Sequence, residues 1–228
     1  TAGQVSEYCA VSSNAFKTPA AINGVPNQNL RGYSRGADFI IVTSADFRSA
    51  ADQLAAYREQ PARGNLRTLV ADVNQIYNEF GGGIPDITAI RDFLKYAYDN
   101  WTPRPRYMLM FGQGSYDYKG IVSSRSSRVP TWQSDESREA VGSWATDDFF
   151  ARFGSDNALS LVLGRISSRT AAPAAQAVEK IKRYEENSAR DTWKMRMLYI
   201  GDDSWTPDGE DGTIHSDAAE QLAQYYTP

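Results

Sequence analysis

The sequence contains one cysteine, Cys9, and one histidine, His215, in 228 residues. A single cysteine excludes a disulfide within the chain. Long apolar runs are missing too: Phe39-Ile40-Ile41-Val42 and Met108-Leu109-Met110-Phe111 are far shorter than the roughly 20 residues a membrane-crossing helix needs. There is no excess of positive charge. Lys and Arg number 24 against 28 Asp and Glu, the net charge is -4 and the pI is near 5.1, so the clustered cations that grip phosphates are not supplied and a nucleic-acid partner is not expected. No Gly-Lys-Ser/Thr phosphate loop occurs, and Gly112-x-Gly114 lacks the third glycine of the dinucleotide fingerprint. No basic start leads into an apolar signal core, so an export signal is expected to be removed or to lie upstream of Thr1. No internal repeat is visible.

What is present suits a globular α/β protein. Hydrophobic residues make up 41% and charged residues 23%, enough for one large domain or two small ones. Residues 1–36 are rich in Asn, Gly, Ser and Pro, with β-like pieces around Val5 to Val11 and an extended stretch from Ala20 to Leu30, and they read as a lead-in. From Asp38 onward, short apolar strands alternate with longer amphipathic stretches, the pattern of βαβ units on a mainly parallel sheet.

The expected elements follow from this alternation. Phe39 to Val42 is a buried strand, and Phe47, Ala51, Leu54 and Tyr57 recur at helical spacing behind Ser44, a suitable cap. Leu66 to Val73 is a second strand. Gly81-Gly82-Gly83 makes a turn before Asp86, which can accept from the first free amides of a helix whose apolar face runs Ile87, Ile90, Phe93, Leu94, Ala97 and Trp101. Tyr107 to Phe111 is a third strand, and the loop from Gly112 to Asp117 should lie at the carboxyl edge of the sheet, where open α/β sheets carry ligand sites. Residues 115–147 form a polar stretch much longer than an ordinary connection. Its aromatics Tyr116, Tyr118, Trp132 and Trp144 would either line a peptide cleft or pin the loop to the body. Beyond it come a strand over Leu159 to Ile166, a helix from Thr170 to about Ser188, a strand over Met195 to Gly201 and a helix over Ser216 to Tyr226.

The order of several blocks is similar to that of the gingipain-type cysteine peptidases. These blocks are Phe39-Ile40-Ile41-Val42-Thr43, Asn78-Glu79-Phe80, Asp86 to Lys95, Phe111-Gly112-Gln113-Gly114-Ser115-Tyr116-Asp117, Val129 to Ser134, Thr146 to Phe150, Leu163-Gly164-Arg165-Ile166, Lys182 to Glu185 and Leu198 to Asp203. Together with Val25 to Leu30 they resemble in particular the sortase branch that serves type IX secretion. The resemblance implies a caspase-like α/β fold of two subdomains, each a mainly parallel sheet flanked by helices. On that reading residues 1–36 are a β-rich lead-in, 37–150 a first subdomain with a long loop, and 151–228 the start of a second, catalytic subdomain that is incomplete. It further implies a secreted or outer-membrane, surface-held protein that removes C-terminal sorting signals from secreted cargo. Its partners would be that polypeptide substrate, the remainder of its own peptidase domain and other secretion-system components.

Cysteine peptidases need a thiolate beside an imidazole, because the neutral thiol is a poor nucleophile. Cys9 lies in the lead-in, where a buried or half-buried strand thiol is the plain expectation. His215 lies outside the Gly-His-Gly setting in which the family holds its catalytic histidine, and the family's cysteine follows that histidine. The chain alone is therefore expected to carry no catalytic residue and to be inactive as a hydrolase. In the acidic stretch Asp202, Asp203, Asp208, Glu210, Asp211, a solvated surface is the simple reading. The resemblance implies a structural calcium held by Glu210 and His215, a pair matching the family's Glu five residues before a His; oxygen ligands suit calcium, whereas imidazole is unusual for it. A second family calcium site would use Gln113 and Asp148, but Gln113 lacks the carboxylate. Two other readings compete: a non-catalytic binding or assembly module with this fold, and a flavodoxin-like domain with a small ligand at the Gln113 edge.

Overall fold

The computed structural model describes residues 9–25, 28–122, 128–135, 143–189, 192–206, 209–210 and 212–226. Two compact units divide between Lys182 and Arg183. The readings placed on Val5 to Tyr8, Pro26, Asn27, Asp208 and Asp211 lie outside the described residues.

In the first unit, β1 (Phe39–Thr43) is buried along its whole length, as a strand covered on both faces must be. Helix α1 (Arg48–Glu59) follows and buries Ala51, Leu54 and Tyr57. Ser44 does not cap it. Its hydroxyl is buried without a hydrogen-bond partner, because the chain first makes a 3-10 turn over Ala45–Phe47 in which the Ser44 carbonyl accepts from the Phe47 amide at 3.0 Å. Strand β2 (Thr68–Asp72) then leads directly into α2 (Val73–Phe80), a helix that the sequence pattern did not announce. Asp72 closes the strand and caps the helix by accepting from the Asn74 amide at 2.8 Å. Asp86 caps α3 (Ile87–Asn100) as expected, accepting from the Thr88 amide at 2.8 Å. Helix α3 buries Ile90, Phe93, Leu94 and Ala97.

Strand β3 (Tyr107–Phe111) has the predicted bounds. The long connection after it carries a small antiparallel pair, β4 (Trp132–Gln133) with β5 (Ala145–Thr146), and returns to β6 (Val162–Ile166) and α4 (Ala171–Glu186). The strands run in the order β2-β1-β3-β6, all parallel. One face packs α2 and α3 over Ile40, Val42, Met108 and Met110; the other packs α1 and α4 over Ile41, Phe111 and Val70. Strand β6 lies in the segment expected to open a second subdomain at residue 151, yet its backbone pairs with β3 in this first sheet. The first unit as a whole extends to Lys182.

The second unit holds a 3-10 turn at Thr192–Met195, the two-residue antiparallel pair β7 (Trp205–Thr206) and β8 (Gly209–Glu210), and α5 (Ile214–Tyr225). No strand forms over Met195 to Gly201. A strand needs a neighbour for its backbone groups, and none of the described strands pairs with this stretch, whose Met195, Leu198 and Ile200 are exposed. No described helix in either unit is long and apolar enough to cross a membrane.

Tyr77 shows how tightly the α2–α3 side is closed. Burial first, then Tyr118 and Asp86 nearby, pushes its phenol above the ordinary value of 10.0. The fold accepts only the neutral form, so its contribution is complete below the unfolded value and is lost as pH climbs from about 10 toward the raised folded value. Tyr77→Phe should therefore flatten the alkaline decline in stability. Urea melts at about pH 9 and about pH 11 check this: the wild-type midpoint falls between them by more than that of the variant.

Candidate functional site

Strand order reverses between β1 and β3, so the carboxyl ends of these two strands form the switch point at which open α/β sheets hold ligands. Here that crevice is filled. Phe47 stacks on Phe111 at 6.2 Å, Thr43 Oγ1 donates to the Phe111 carbonyl at 3.0 Å, and Asp46 from the loop after β1 pairs with Arg128 from the long loop. Gly112 turns the chain out of β3 at φ 148°, a region that disfavours a side chain. A Cβ there would also meet Val129 Cγ2 at 3.0 Å and Arg128 Cβ at 3.1 Å, so glycine is what lets the returning loop lie against the strand end.

The open site lies one strand over, between β3 and β6. At its floor Arg165, on β6, spends all five of its N–H donors. Its Nε and Nη2 grip Asp147 at 2.6 and 2.7 Å; Nη1 reaches the carbonyls of Gly112 at 2.7 Å and Val129 at 2.9 Å; Nη2 also reaches that of Pro130 at 2.9 Å. The pair is mostly removed from water, with side chains 14% and 12% exposed. Thr131 Oγ1 donates to the same Asp147 at 3.0 Å. Above this clasp opens a cavity of about 400 Å³ walled by Ser115, Tyr116, Gln133, Thr146 and Ser167. Next to the wall residue Ser115, whose Oγ accepts from the Asp117 amide at 3.2 Å, the Asp117 carboxylate accepts from the amides of Ile121 at 2.7 Å and Val122 at 2.9 Å. The cavity can accommodate a polar, extended ligand; among the described residues no thiol or imidazole lines it.

The long-loop aromatics divide between the two roles foreseen for them. Trp132 packs on Trp144 at 5.4 Å and on Phe149 at 6.2 Å, and Phe149 packs on the fully buried Phe150, so this chain of rings pins β4 and β5 to the core. Tyr116 is 69% exposed and borders the cavity. The Arg125-Ser126-Ser127 part of the loop lies outside the described residues.

Gln113 and Asp148 are each engaged by an arginine. Arg169 Nε donates to Gln113 Oε1 at 2.7 Å, and Arg152 Nη2 donates to Asp148 Oδ2 at 3.1 Å. Cys9 is an exposed free thiol outside any strand, not the packed strand thiol expected, because the described lead-in around it forms no sheet that would cover it. His215 is exposed in the first turn of α5, whose backbone passes close to Gly201. The Glu210 side chain lies outside the described part of the structure. Asp203 Oδ1 accepts from the Trp205 amide at 3.0 Å, and among the described residues no three His, Cys, Asp or Glu side chains converge. The described donors nearby are the His215 imidazole, an unusual ligand for calcium, and carboxylates such as Asp203 that accept local amides.

The Arg165–Asp147 clasp was not foreseen. The signal for it was an arginine inside an otherwise apolar strand, which demands a buried anion, and Thr146-Asp147-Asp148 stood in the long loop as the source.

Comparison with known proteins places this arrangement. Residues 33–228 match the model of peptidase family C25, and the chain belongs to that family, the gingipain-type cysteine peptidases. It is similar to dimeric latent PorU from Porphyromonas gingivalis, with 34% identity over 78% of this chain and a TM-score of 0.62. The chain spans 18% of that protein's length. A structure described as a protease shares the fold alone, with 14% identity, a TM-score of 0.50, and coverage of 68% of this chain and 29% of its own. No curated protein sequence matches.

Arginine at position 165 should not be replaceable by lysine. Arg165→Lys keeps the charge but has three donors on a point-like head in place of a five-donor fork, leaving carbonyls and one carboxylate oxygen unpaired. Arg165→Met leaves the Asp147 carboxylate without its cation, with only the Thr131 hydroxyl still donating to it, and should cost about 3–5 kcal/mol. Urea denaturation of the three proteins checks this: both variants melt earlier, and a lysine variant as stable as wild type would show the fork to be dispensable.

Proposed function

We propose that this chain is the front part of a gingipain-like cysteine peptidase of the sortase kind, which processes C-terminal signals of secreted cargo, with the catalytic histidine and cysteine lying outside it. The observation that carries this is the 34% identity to PorU over most of the chain, on top of the family match. The first unit then serves as scaffold and as one wall of a substrate cleft, with the β3–β6 cavity presenting hydroxyls and carbonyls to an extended polypeptide. The protein acts outside the cell or held at the outer-membrane surface, alongside the rest of its peptidase domain and other secretion components.

The test uses the full-length gene. Alanine at both the Gly-His-Gly histidine and the later strand-end cysteine should leave cargo with its C-terminal signal attached, as read by intact mass. Cargo processed at the wild-type rate by that double variant would overturn the proposal.

The calcium reading at Glu210 and His215 belongs to the same proposal. Calorimetric titration of a protein that extends through the catalytic half should show calcium binding that Glu210→Gln weakens, since a neutral amide is the poorer ligand for a hard cation. A flat titration removes the site.

A further inference from the structure

Strand β6 is the edge of the parallel sheet among the described residues: it pairs with β3 and with no other strand. The Val162 amide donates to the Arg106 carbonyl at 2.9 Å and the Ile166 carbonyl accepts from Gly112 at 2.9 Å, so both residues turn their backbone groups toward β3. Alternation along a strand then turns those of Leu163 and Arg165 to the outer edge. Exposed edges are ordinarily blunted by proline, lysine or a bulge. The sequence Val162-Leu163-Gly164-Arg165-Ile166 contains no proline or lysine, its register with β3 is unbroken, and Val162 is 63% exposed.

Cavities flank this edge on both faces of the sheet. On the α1 and α4 face, one of about 560 Å³ has an apolar floor of Leu66, Leu109, Val162 and Gly164. On the other face, one of about 570 Å³ is bounded by Tyr98, Leu159, Leu161 and Leu163. Gly164 lacks a side chain where an added Cβ would meet only Leu109 Cδ1 at 4.0 Å, which keeps the first cavity open. Arginines rim both. Arg58, Arg63 and Arg106 border the first and Arg104 and Arg106 the second, and none of the described lining residues is a carboxylate. The Arg106 side chain is 60% exposed and meets Asp38 at 3.5 Å.

We infer that the β6 edge is a docking site for an extended, acidic polypeptide segment that pairs with the outward groups of Leu163 and Arg165. Successive residues of such a strand point to opposite faces, so two adjacent apolar side chains enter the two cavities while a neighbouring carboxylate meets Arg106. The two cavities lie beside Val162, Leu163 and Gly164, while the clasp cavity lies at the carboxyl end of β6, over the Arg165 side chain; the docking edge takes only the outward backbone of Arg165 and does not rest on the peptidase reading.

The test is fluorescence anisotropy of the full chain with a fluorescein-labelled peptide of about ten residues that alternates Val or Leu pairs with Glu. Saturable binding is expected, weakened about tenfold by Arg106→Glu and by replacing the peptide's Glu with Lys. Gly164→Trp, which fills the first cavity from a position with room for a side chain, should abolish it with an unchanged thermal melt. Amide exchange should slow at Leu163 and Arg165 when peptide is bound. Equal binding of the Lys peptide, or full binding to Gly164→Trp, would overturn the inference. So would an edge that binds no peptide but supports self-association sensitive to Gly164→Trp in sedimentation, which would assign it to a second copy of the chain.

Discussion

The carboxyl end of the first unit depends on one guanidinium. Arg165 sits inside a strand, where a lone charge is costly to desolvate, and is tolerated because every donor has an acceptor. Those acceptors come from three separate pieces of chain: the Gly112 turn after β3, the Val129–Pro130 return of the long loop, and Asp147 beside β5. The residue thus ties together the ends of a connection that would otherwise leave its carbonyls unpaired against an apolar sheet. Its planar fork also fixes where they sit, since bidentate geometry tolerates little displacement.

That clasp changes which crevice of the sheet is open. In a parallel sheet of this order the natural ligand position is the switch point between β1 and β3, but Phe47, Val129 and the Asp46–Arg128 pair occupy it. Space appears instead between β3 and β6, over Arg165, with Ser115 and Thr131 in its polar wall. The pinned ring cluster of Trp132, Trp144 and Phe149 keeps the loop from collapsing into that space. A long polar loop thereby becomes an ordered wall through aromatic packing and one buried ion pair.

The two units differ in how much they bury. The first covers both faces of its sheet with helices, burying Phe47, Phe93, Phe111 and Phe150 almost completely. The second, taken by itself, has no buried residue in α5 and leaves Trp205, Ile200 and Tyr225 exposed, the condition of a segment whose apolar face has no described partner. The chain belongs to peptidase family C25 and spans 18% of the length of PorU.

Much of the first unit was legible from the residues alone. The apolar runs at Phe39 and Tyr107, the 3.6-residue periodicity after Asp86 and the capping carboxylate itself are local signals, and local backbone geometry answers to them. Helix α2 escaped because Val73–Phe80 starts with no break after its strand, and Asp72 ends one element while beginning the other. The strand read over Met195 to Gly201 failed for the opposite reason: its residues have the right propensity, but a strand exists only when something pairs with it. Ser44 likewise had the right chemistry for a cap and the wrong geometry, since a 3-10 turn intervened. Sequence by itself therefore determined the α/β class, the helix faces and the family. Tertiary structure alone decided that Arg165 and Asp147, 18 residues apart, meet at a strand end, because pairing of distant charges is set by strand order and burial, neither of which is written in local periodicity.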